Sequence, residues 1–373
     1  MVCEHTQSQR APKGTTEVRD HSRTPFRIRR STLRVGVAGL RRGQSFLRVF
    51  GQRDDCEVVA VCDTSPEALA EVGDRWQIPT RLDLFDDLIQ VDLDAVVIAT
   101  PGPLHARQAI AALDAGRNVL SEVPAAWTLE ECHDLVAAAN RADGIYMFAE
   151  NMCYFHYLQE WRDRIQRGDI GEITYVEAEY VHDIRPRMQE GNWRKDMPPI
   201  YYCTHSLGPV LDILDDRCVQ AIGLSTGPRT SPEISVDDLE VGLFRTARGV
   251  VVKILCGFSV CREPAFHWQV FYGTEGVIEN GRPPADPAKV FRQGQDGMQE
   301  IEAEVSDPGL ESAVTGGHGT SEMLLVEDFV KAARGEQLVS IDVYRGVEMT
   351  APGLCAHESA LQDGAPVSIP DFR

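Results

Sequence analysis

From residue 33 to residue 148, short apolar runs alternate with segments whose apolar positions recur every three to four residues. The runs LRVGVA (33–38), EVVAVC (57–62), DAVVIA (94–99) and NVLS (118–121), with Met147-Phe148, read as strands buried on both faces. Segments 45–50, 66–76, 104–115 and 129–140 read as helices, the third stopped by Gly116. Alternation at this short spacing predicts a doubly wound parallel sheet.

Beyond residue 150 the pattern moves to period two. Residues 172–182 (EITYVEAEYVH) alternate, and 239–246 and 249–258 are two runs joined by Ala247-Arg248, a hairpin signature. Runs 268–272 and 277–279 flank Gly273-Thr274-Glu275-Gly276, a second tight turn. Helical patterns follow at 321–333 and 343–361. The chain therefore divides into a polar extension (1–32), a dinucleotide-binding α/β domain (33–150) and a second α/β domain (151–373). The second is built on a large, mainly antiparallel open sheet.

Composition narrows the partners. With 373 residues there is length for two cores, and a net charge of −20 disfavours nucleic acid and anionic membranes. No apolar run approaches the roughly 20 residues that span a bilayer. The ten cysteines include no C-x-x-C pair, and Cys256 with Cys261 lacks zinc spacing. Reduced buried thiols, no metal and a cytoplasmic location are the expectation. Residues 1–32 show no hydrophobic period and read as disordered. Within them Arg29-Arg30 faintly resembles a twin-arginine export signal. The apolar stretch after it is short, contains Arg34 and is needed as the first strand.

The first strand ends in Gly36-x-x-Gly39-Leu40-Arg41-Arg42-Gly43. Glycines between strand and helix let a phosphate approach the backbone and the helix N-terminus. The spacing is not G-x-G-x-x-G, and glycine turns after strands are common. Asp63 adds weight, because about 20 residues further on a carboxylate accepts hydrogen bonds from the adenosine ribose. It would repel a 2′-phosphate, so NAD is favoured over NADP. The alternative for Asp63 is a simple helix N-cap.

Ala99-Thr100-Pro101 with His105, then Asn118-Val119-Leu120-Ser121-Glu122-Val123-Pro124, resemble the Gfo/Idh/MocA oxidoreductases. In that family an A-T-P-x-x-x-H turn lies beside the nicotinamide and an E-K-P strand end follows. The resemblance extends over residues 33–373. It implies a Rossmann domain and a second domain whose sheet carries assembly as a homodimer or homotetramer. It also implies hydride transfer between NAD and a carbohydrate-like alcohol. Gly39, Arg41, Gly43, Asp63, Thr100, Pro101, His105 and Glu122 are the implied cofactor residues. Two positions depart from the pattern. Arg41 stands where many members have the second glycine, and Val123 replaces the E-K-P lysine, an acid/base group.

Glu150-Asn151-x-Cys153-Tyr154, Tyr180-Val181-His182-Asp183-Ile184-Arg185, Tyr202-Cys203-Thr204-His205 and Gly317-His318-Gly319 look like segments of the family's NAD-dependent glycosidases. That likeness implies that Glu150, Tyr180, Tyr202 and His205 line a sugar site and carry the chemistry. His182, Arg185, Trp193, Arg194 and His318 are the substrate-side candidates. Blander readings accompany each. His205 can cap a helix over 207–214, Tyr201 can be the functional tyrosine in place of Tyr202, and Tyr180 with His182 can mark a half-exposed sheet face. Trp193 and Arg194 can lie on the surface, and His318 can cap the helix after it. The leading expectation is oxidation of a ring hydroxyl, at C3, of a sugar or glycoside. The alternatives are a redox-neutral NAD-dependent glycosidase and a non-catalytic NAD-binding regulator.

Overall fold

The computed structural model describes residues 30–188, 192–262, 266–281, 287–301 and 321–373. Residues 1–29 and His318 lie outside the described residues.

The first sheet is built by β1 (Leu33–Ala38), β2 (Cys56–Cys62), β3 (Thr80–Leu82), β4 (Ala95–Ile98), β5 (Asn118–Ser121) and β6 (Tyr146–Phe148). Its order is β3-β2-β1-β4-β5-β6 with every pair parallel. Between them run α1 (Leu40–Gly51), α2 (Pro66–Arg75), α3 (Phe85–Leu88), α4 (His105–Asp114) and α5 (Leu129–Arg141). Val35, Val37, Val96, Val97, Val119 and Leu120 have no exposed surface. Such burial on both faces is why their strands carry no polar alternation. Local chemistry starts the helices: the Ser65 hydroxyl accepts the Ala68 amide ahead of α2, and Thr128 with Glu131 forms a capping box ahead of α5.

α1 begins at Leu40 instead of 45, so Arg41, Arg42 and Gly43 occupy its first turn. Gly43 does not break the helix but seats it on the sheet, since a Cβ there would fall 2.7 Å from Val37 Cγ1. Apolar periodicity hid this turn because its residues serve a site and not the core.

The second sheet has nine strands. In chain order they are β7 (Ile173–Val181), β8 (Cys218–Ser225), β9 (Leu239–Thr246), β10 (Val251–Gly257), β11 (Phe266–Gly273), β12 (Gly276–Glu279), β13 (Ala288–Arg292), β14 (Gln299–Ile301) and β15 (Val367–Ser368). The spatial order is β14-β13-β12-β11-β7-β10-β9-β8-β15, antiparallel except for β7 beside β10. Helices α6 (His156–Gln166), α7 (Thr204–Leu214), α8 (Ser321–Ala333) and α9 (Val343–Ala360) complete the α-helices and strands among the described residues, with short 3-10 turns between them. The sequence pattern named neither α6 nor β8, β13, β14 and β15.

The boundary at residue 150 separates the two sheets but not the two cores. Leu325, Val326, Phe329 and Val330 of α8 pack in the same cluster as Leu33, Val35, Phe46 and Phe50. Arg334 then donates to the Ser31 and Asp55 carbonyls. On the second sheet Leu224, Leu243, Val251 and Tyr272 stand exposed, the element through which the resemblance implies assembly. Among the described residues no helix is long and apolar enough to cross a membrane, and the cysteines are free thiols, all buried but Cys261.

Candidate active site

In a parallel sheet of this winding, ligands bind beyond the carboxyl ends of the strands where the strand order reverses, here between β1 and β4. The β1–α1 turn is drawn tight there. Gly39 has φ 85° and donates its amide to the Cys62 carbonyl at 2.9 Å. A Cβ on Gly39 would lie 2.3 Å from the Ala99 carbonyl oxygen, so the turn touches the end of β4 backbone to backbone. The N-cap residue, Gly39, has no side chain with which to cap α1. The Leu40 amide goes to Asp63 Oδ2 at 2.7 Å and the Ser65 amide to Asp63 Oδ1 at 2.9 Å. A helix start leaves the next amides, those of Arg41 and Arg42, without intrahelical acceptors, open to a pyrophosphate. Ser65, not Asp63, caps α2. Of roughly four acceptor positions on the Asp63 carboxylate, those two amides use two and leave the rest for ribose hydroxyls. Arg41 is exposed at the helix start. These features fit a dinucleotide.

A charge preference follows. If Asp63 meets the adenosine ribose, a carboxylate there repels a 2′-phosphate, and NADP⁺ is expected to bind at least about tenfold more weakly than NAD⁺, a difference of roughly 1.4 kcal/mol. Calorimetric titration with both cofactors checks this. Equal or tighter NADP⁺ binding would remove Asp63 from the ribose site.

Thr100 and Pro101 form the turn after β4, with the Thr100 hydroxyl 2.5 Å from Gln108 Oε1. His105 does not face the cleft. It is buried, with Nδ1 2.8 Å from the Pro124 carbonyl and Nε2 2.7 Å from the Thr100 carbonyl, so it ties the two loops together. Burial holds its pKa below the ordinary histidine value against those two carbonyls. Glu122, at the end of β5, takes Arg42 Nε at 2.7 Å, and the same guanidinium reaches Glu322 of α8. Burial opposes charge on both partners. Attraction outweighs it, holding Arg42 above and Glu122 below their ordinary values.

Across the cleft, Glu150 is fully buried after β6. Its Oε1 accepts the Met152 amide at 3.1 Å and lies 2.7 Å from His205 Nδ1. Because a carboxylate only accepts, Nδ1 carries a proton toward Glu150, and in the neutral imidazole the lone pair is then on Nε2. α7 has no side-chain cap, so His205 spends its ring on Glu150 and not on the helix end. Around it the rings converge: Tyr202 at 4.9 Å from His205, Tyr180 at 5.3 Å from His205 and 5.7 Å from Tyr202. His182 lies 6.3 Å from Tyr180, and His267 of β11 lies 4.5 Å from it, edge-on. Burial pushes both phenols above the ordinary tyrosine value. At Tyr202 a hydrogen bond and charge from Arg194 work the other way.

Tyr201 turns away from this group, against Trp127 at 5.1 Å and His357 at 5.4 Å. Trp193 packs edge-on to Trp127 at 5.8 Å, with the Arg194 guanidinium 4.4 Å over its ring. Arg185 is held by Asp183 at 2.6 and 2.8 Å. Glu150, Tyr180, Tyr202, His205, His182 and Arg194 therefore come together, whereas His105 and Arg185 are occupied elsewhere. Arg42, Glu322, Trp127 and His267 complete the surroundings. The sequence carried a signal only for Arg42, whose position shares the first turn with Arg41. Glu322 and His267 arrive through long-range packing and strand register.

A separate cavity of about 770 Å³ lies elsewhere, between α6 and α8. It is lined by ion-paired side chains such as Arg162, Arg164 and Lys331 with Asp212, Glu160 and Glu327. A Rossmann-type parallel sheet with a glycine-rich first turn and Glu150 beyond β6, set against Tyr180 of the second sheet and Tyr202 and His205 around the start of α7, defines a two-domain architecture suited to dinucleotide-dependent redox chemistry.

Comparison with known proteins gives the same class. The oxidoreductase family model for the NAD-binding Rossmann fold matches residues 33–150, and the GFO/IDH/MocA C-terminal domain matches 158–279. The chain belongs to the Gfo/Idh/MocA oxidoreductase family, and its N-terminal part is the family's NAD-binding Rossmann domain. The C-terminal domain of glycosyl hydrolase 109 matches residues 236–373. A glycosyl hydrolase family 109 protein of Solibacter usitatus is 27% identical over 91% of this chain and 88% of its own. Another, from Shewanella sp. strain ANA-3, is 28% identical over 91% and 85%. In fold the chain matches an oxidoreductase domain protein from Kribbella flavida (TM-score 0.81, 21% identity, 92% of this chain and 100% of that one). It also matches a levoglucosan dehydrogenase solved with NADH and L-sorbose (TM-score 0.80, 22% identity, 92% and 100%).

Proposed function

We propose that the chain oxidises a ring hydroxyl, at C3, of a sugar or glycoside, with NAD as its cofactor. One observation carries this reading: the buried Glu150–His205 pair, 2.7 Å apart, beside Tyr180 and Tyr202. When bound, NAD accepts the hydride that leaves the carbinol carbon. The protein must handle the hydroxyl proton. His205 Nε2 takes it while Glu150 holds Nδ1–H and stabilises the resulting imidazolium, a role worth about 10²–10⁴-fold in rate. Tyr202, hydrogen-bonded by Arg194, orients the hydroxyl. Val123 cannot titrate, so this relay does what lysine does in the related motif.

A second reading, net glycoside cleavage, is supported by the similarity to glycosyl hydrolase 109 and by Tyr180 as a further proton-handling group. A C3 ketone acidifies the C2 proton. Its loss expels the C1 substituent, water adds at C1, and reversal of the oxidation restores the C3 hydroxyl. Tyr180 and Tyr202 are phenols at neutral pH because burial holds their protons. Either must pass its proton to a neighbour before acting as the base. Incubation with NAD⁺ and a panel of free sugars and aryl glycosides decides between them. NADH accumulation supports the first reading, and aglycone release without net NADH the second. Neither product from any substrate overturns both.

A further inference from the structure

Tyr202 stands at the end of a single 3-10 turn, Pro199–Tyr202, that begins with two residues lacking amide protons, Pro198 and Pro199. The turn's first amide, on Ile200, donates to Glu240 Oε2 at 2.9 Å. Glu240 lies on β9 and is 2% exposed. Its other oxygen, Oε1, receives Nδ1–H of His357 on α9 at 2.7 Å. The helix presses on the turn beside this contact: a Cβ at Gly353, one helical turn before His357, would fall 2.5 Å from the Ile200 carbonyl oxygen. Tyr201 is clamped between His357 and Trp127, its ring edge-on to both. Three elements thus grip the back of a turn whose front presents Tyr202 and leads into α7 with His205.

Nothing in the proposed chemistry uses Glu240 or His357, yet both are ionisable and sit behind the pocket. A buried carboxylate is costly unless a cation accompanies it. Asp237 brings its own carboxylate into the group, with polar atoms of Asp237, Glu240 and His357 all within 4.8 Å of one another. The other titratable groups facing the pair are Tyr201 and Cys203 on the turn side and Cys256 on β10, and Cys355 and Glu358 of α9 face Tyr201. His357, when protonated, is the cation in this set.

We propose that Glu240 and His357 form a positioning couple that holds Tyr202 against Tyr180 and His205 while His357 is protonated and releases it when the proton is lost. The proposal rests on the reading of Tyr202 and His205 as the groups that handle the substrate proton. Burial lowers the His357 pKa, but the hydrogen bond and charge of Glu240, with Asp237, outweigh it and hold the value above the ordinary one. A raised histidine value means that the ion pair is complete below the ordinary pKa and is lost as pH rises through the raised one. The couple therefore places a limb on the alkaline side of the rate profile.

The test combines histidine NMR titration of the full chain with pH–rate profiles on the sugar or glycoside that turns over. In the wild-type chain His357 titrates above the ordinary histidine value, and kcat falls on the alkaline side with the same midpoint. Glu240→Gln moves the His357 midpoint down by about one unit or more and lowers kcat roughly tenfold, with the KM for NAD unchanged. His357→Gln keeps a donor for Glu240 but cannot titrate, so its profile loses the alkaline limb. An ordinary or lowered His357 midpoint in the wild-type chain overturns the proposal. An alkaline limb unchanged in His357→Gln does the same, and this variant decides if Glu240→Gln does not fold. If no sugar or glycoside turns over, the functional reading fails. The couple is then judged by whether Tyr202 ring signals shift with the His357 midpoint.

Discussion

Replacing His205 with alanine is expected to lower turnover by about 10²–10⁴-fold, the range of general acid–base catalysis, while NAD affinity stays within a few-fold. The first effect follows from removing the group whose Nε2 is free once Glu150 fixes Nδ1. The second follows because His205 belongs to α7 and the phosphate turn to α1. Stability changes by a separate route. Glu150, whose Oε2 already has no hydrogen-bond partner, would keep only the Met152 amide on Oε1, at a cost of roughly 1–3 kcal/mol. Tyr202→Phe separates the two effects, since it deletes a hydroxyl that neither Glu150 nor the α7 cap uses. It should slow the reaction with little loss of melting temperature. Three measurements on each variant are needed: thermal stability, NAD titration and single-turnover hydride transfer. A His205→Ala protein that is destabilised yet transfers hydride at the wild-type rate would end the catalytic assignment.

What the sequence revealed, and what it withheld, follows from how each feature is encoded. Parallel strands buried on both faces appear as unbroken apolar runs, which is why β1 and β5 were legible to the residue. The hairpin of β9 and β10 was legible because a short turn between two alternating runs is a local event. The start of α1 was not, because its first turn is selected for phosphate and for close seating on β1 instead of for apolar period. Strands β13 to β15 are short or lie at the sheet's edges, and weak patterns of two to five residues do not stand out from loops. The site shows the same division. Tyr202 and His205, three positions apart, come from one local stretch and meet as spacing predicts. The choice between Tyr201 and Tyr202 needed the third dimension, since a 3-10 turn sends adjacent rings to opposite neighbours. Charges arriving from distant segments, such as Glu322 on Arg42 or His357 on Glu240, have no signature in one sequence.

Gly39→Ala is expected to abolish measurable NAD binding and to lower stability by about 3 kcal/mol or more. Two separate costs act at this position. A residue with a Cβ at φ 85° occupies the left-handed region, worth roughly 1–3 kcal/mol for a non-glycine side chain. The new methyl would also sit 2.3 Å from the Ala99 carbonyl oxygen, 2.4 Å from its carbon and 2.6 Å from the Thr100 nitrogen. Those atoms are backbone and cannot rotate aside. Either the β1–α1 turn or the turn after β4 must move, and these are the two turns that would hold the pyrophosphate and the nicotinamide. Gly116→Ala is the control. Gly116 has φ 74°, yet nothing lies within 4 Å of its added Cβ, so only the backbone cost applies there. That variant should melt lower but bind NAD as the wild type does. The comparison isolates close approach from left-handed strain, which a single variant would confound. Calorimetric NAD titration beside thermal denaturation reads both quantities. If Gly39→Ala binds NAD within about threefold of the wild type, the β1–α1 turn is not the phosphate cradle, and the cofactor must lie elsewhere along the sheet's edge.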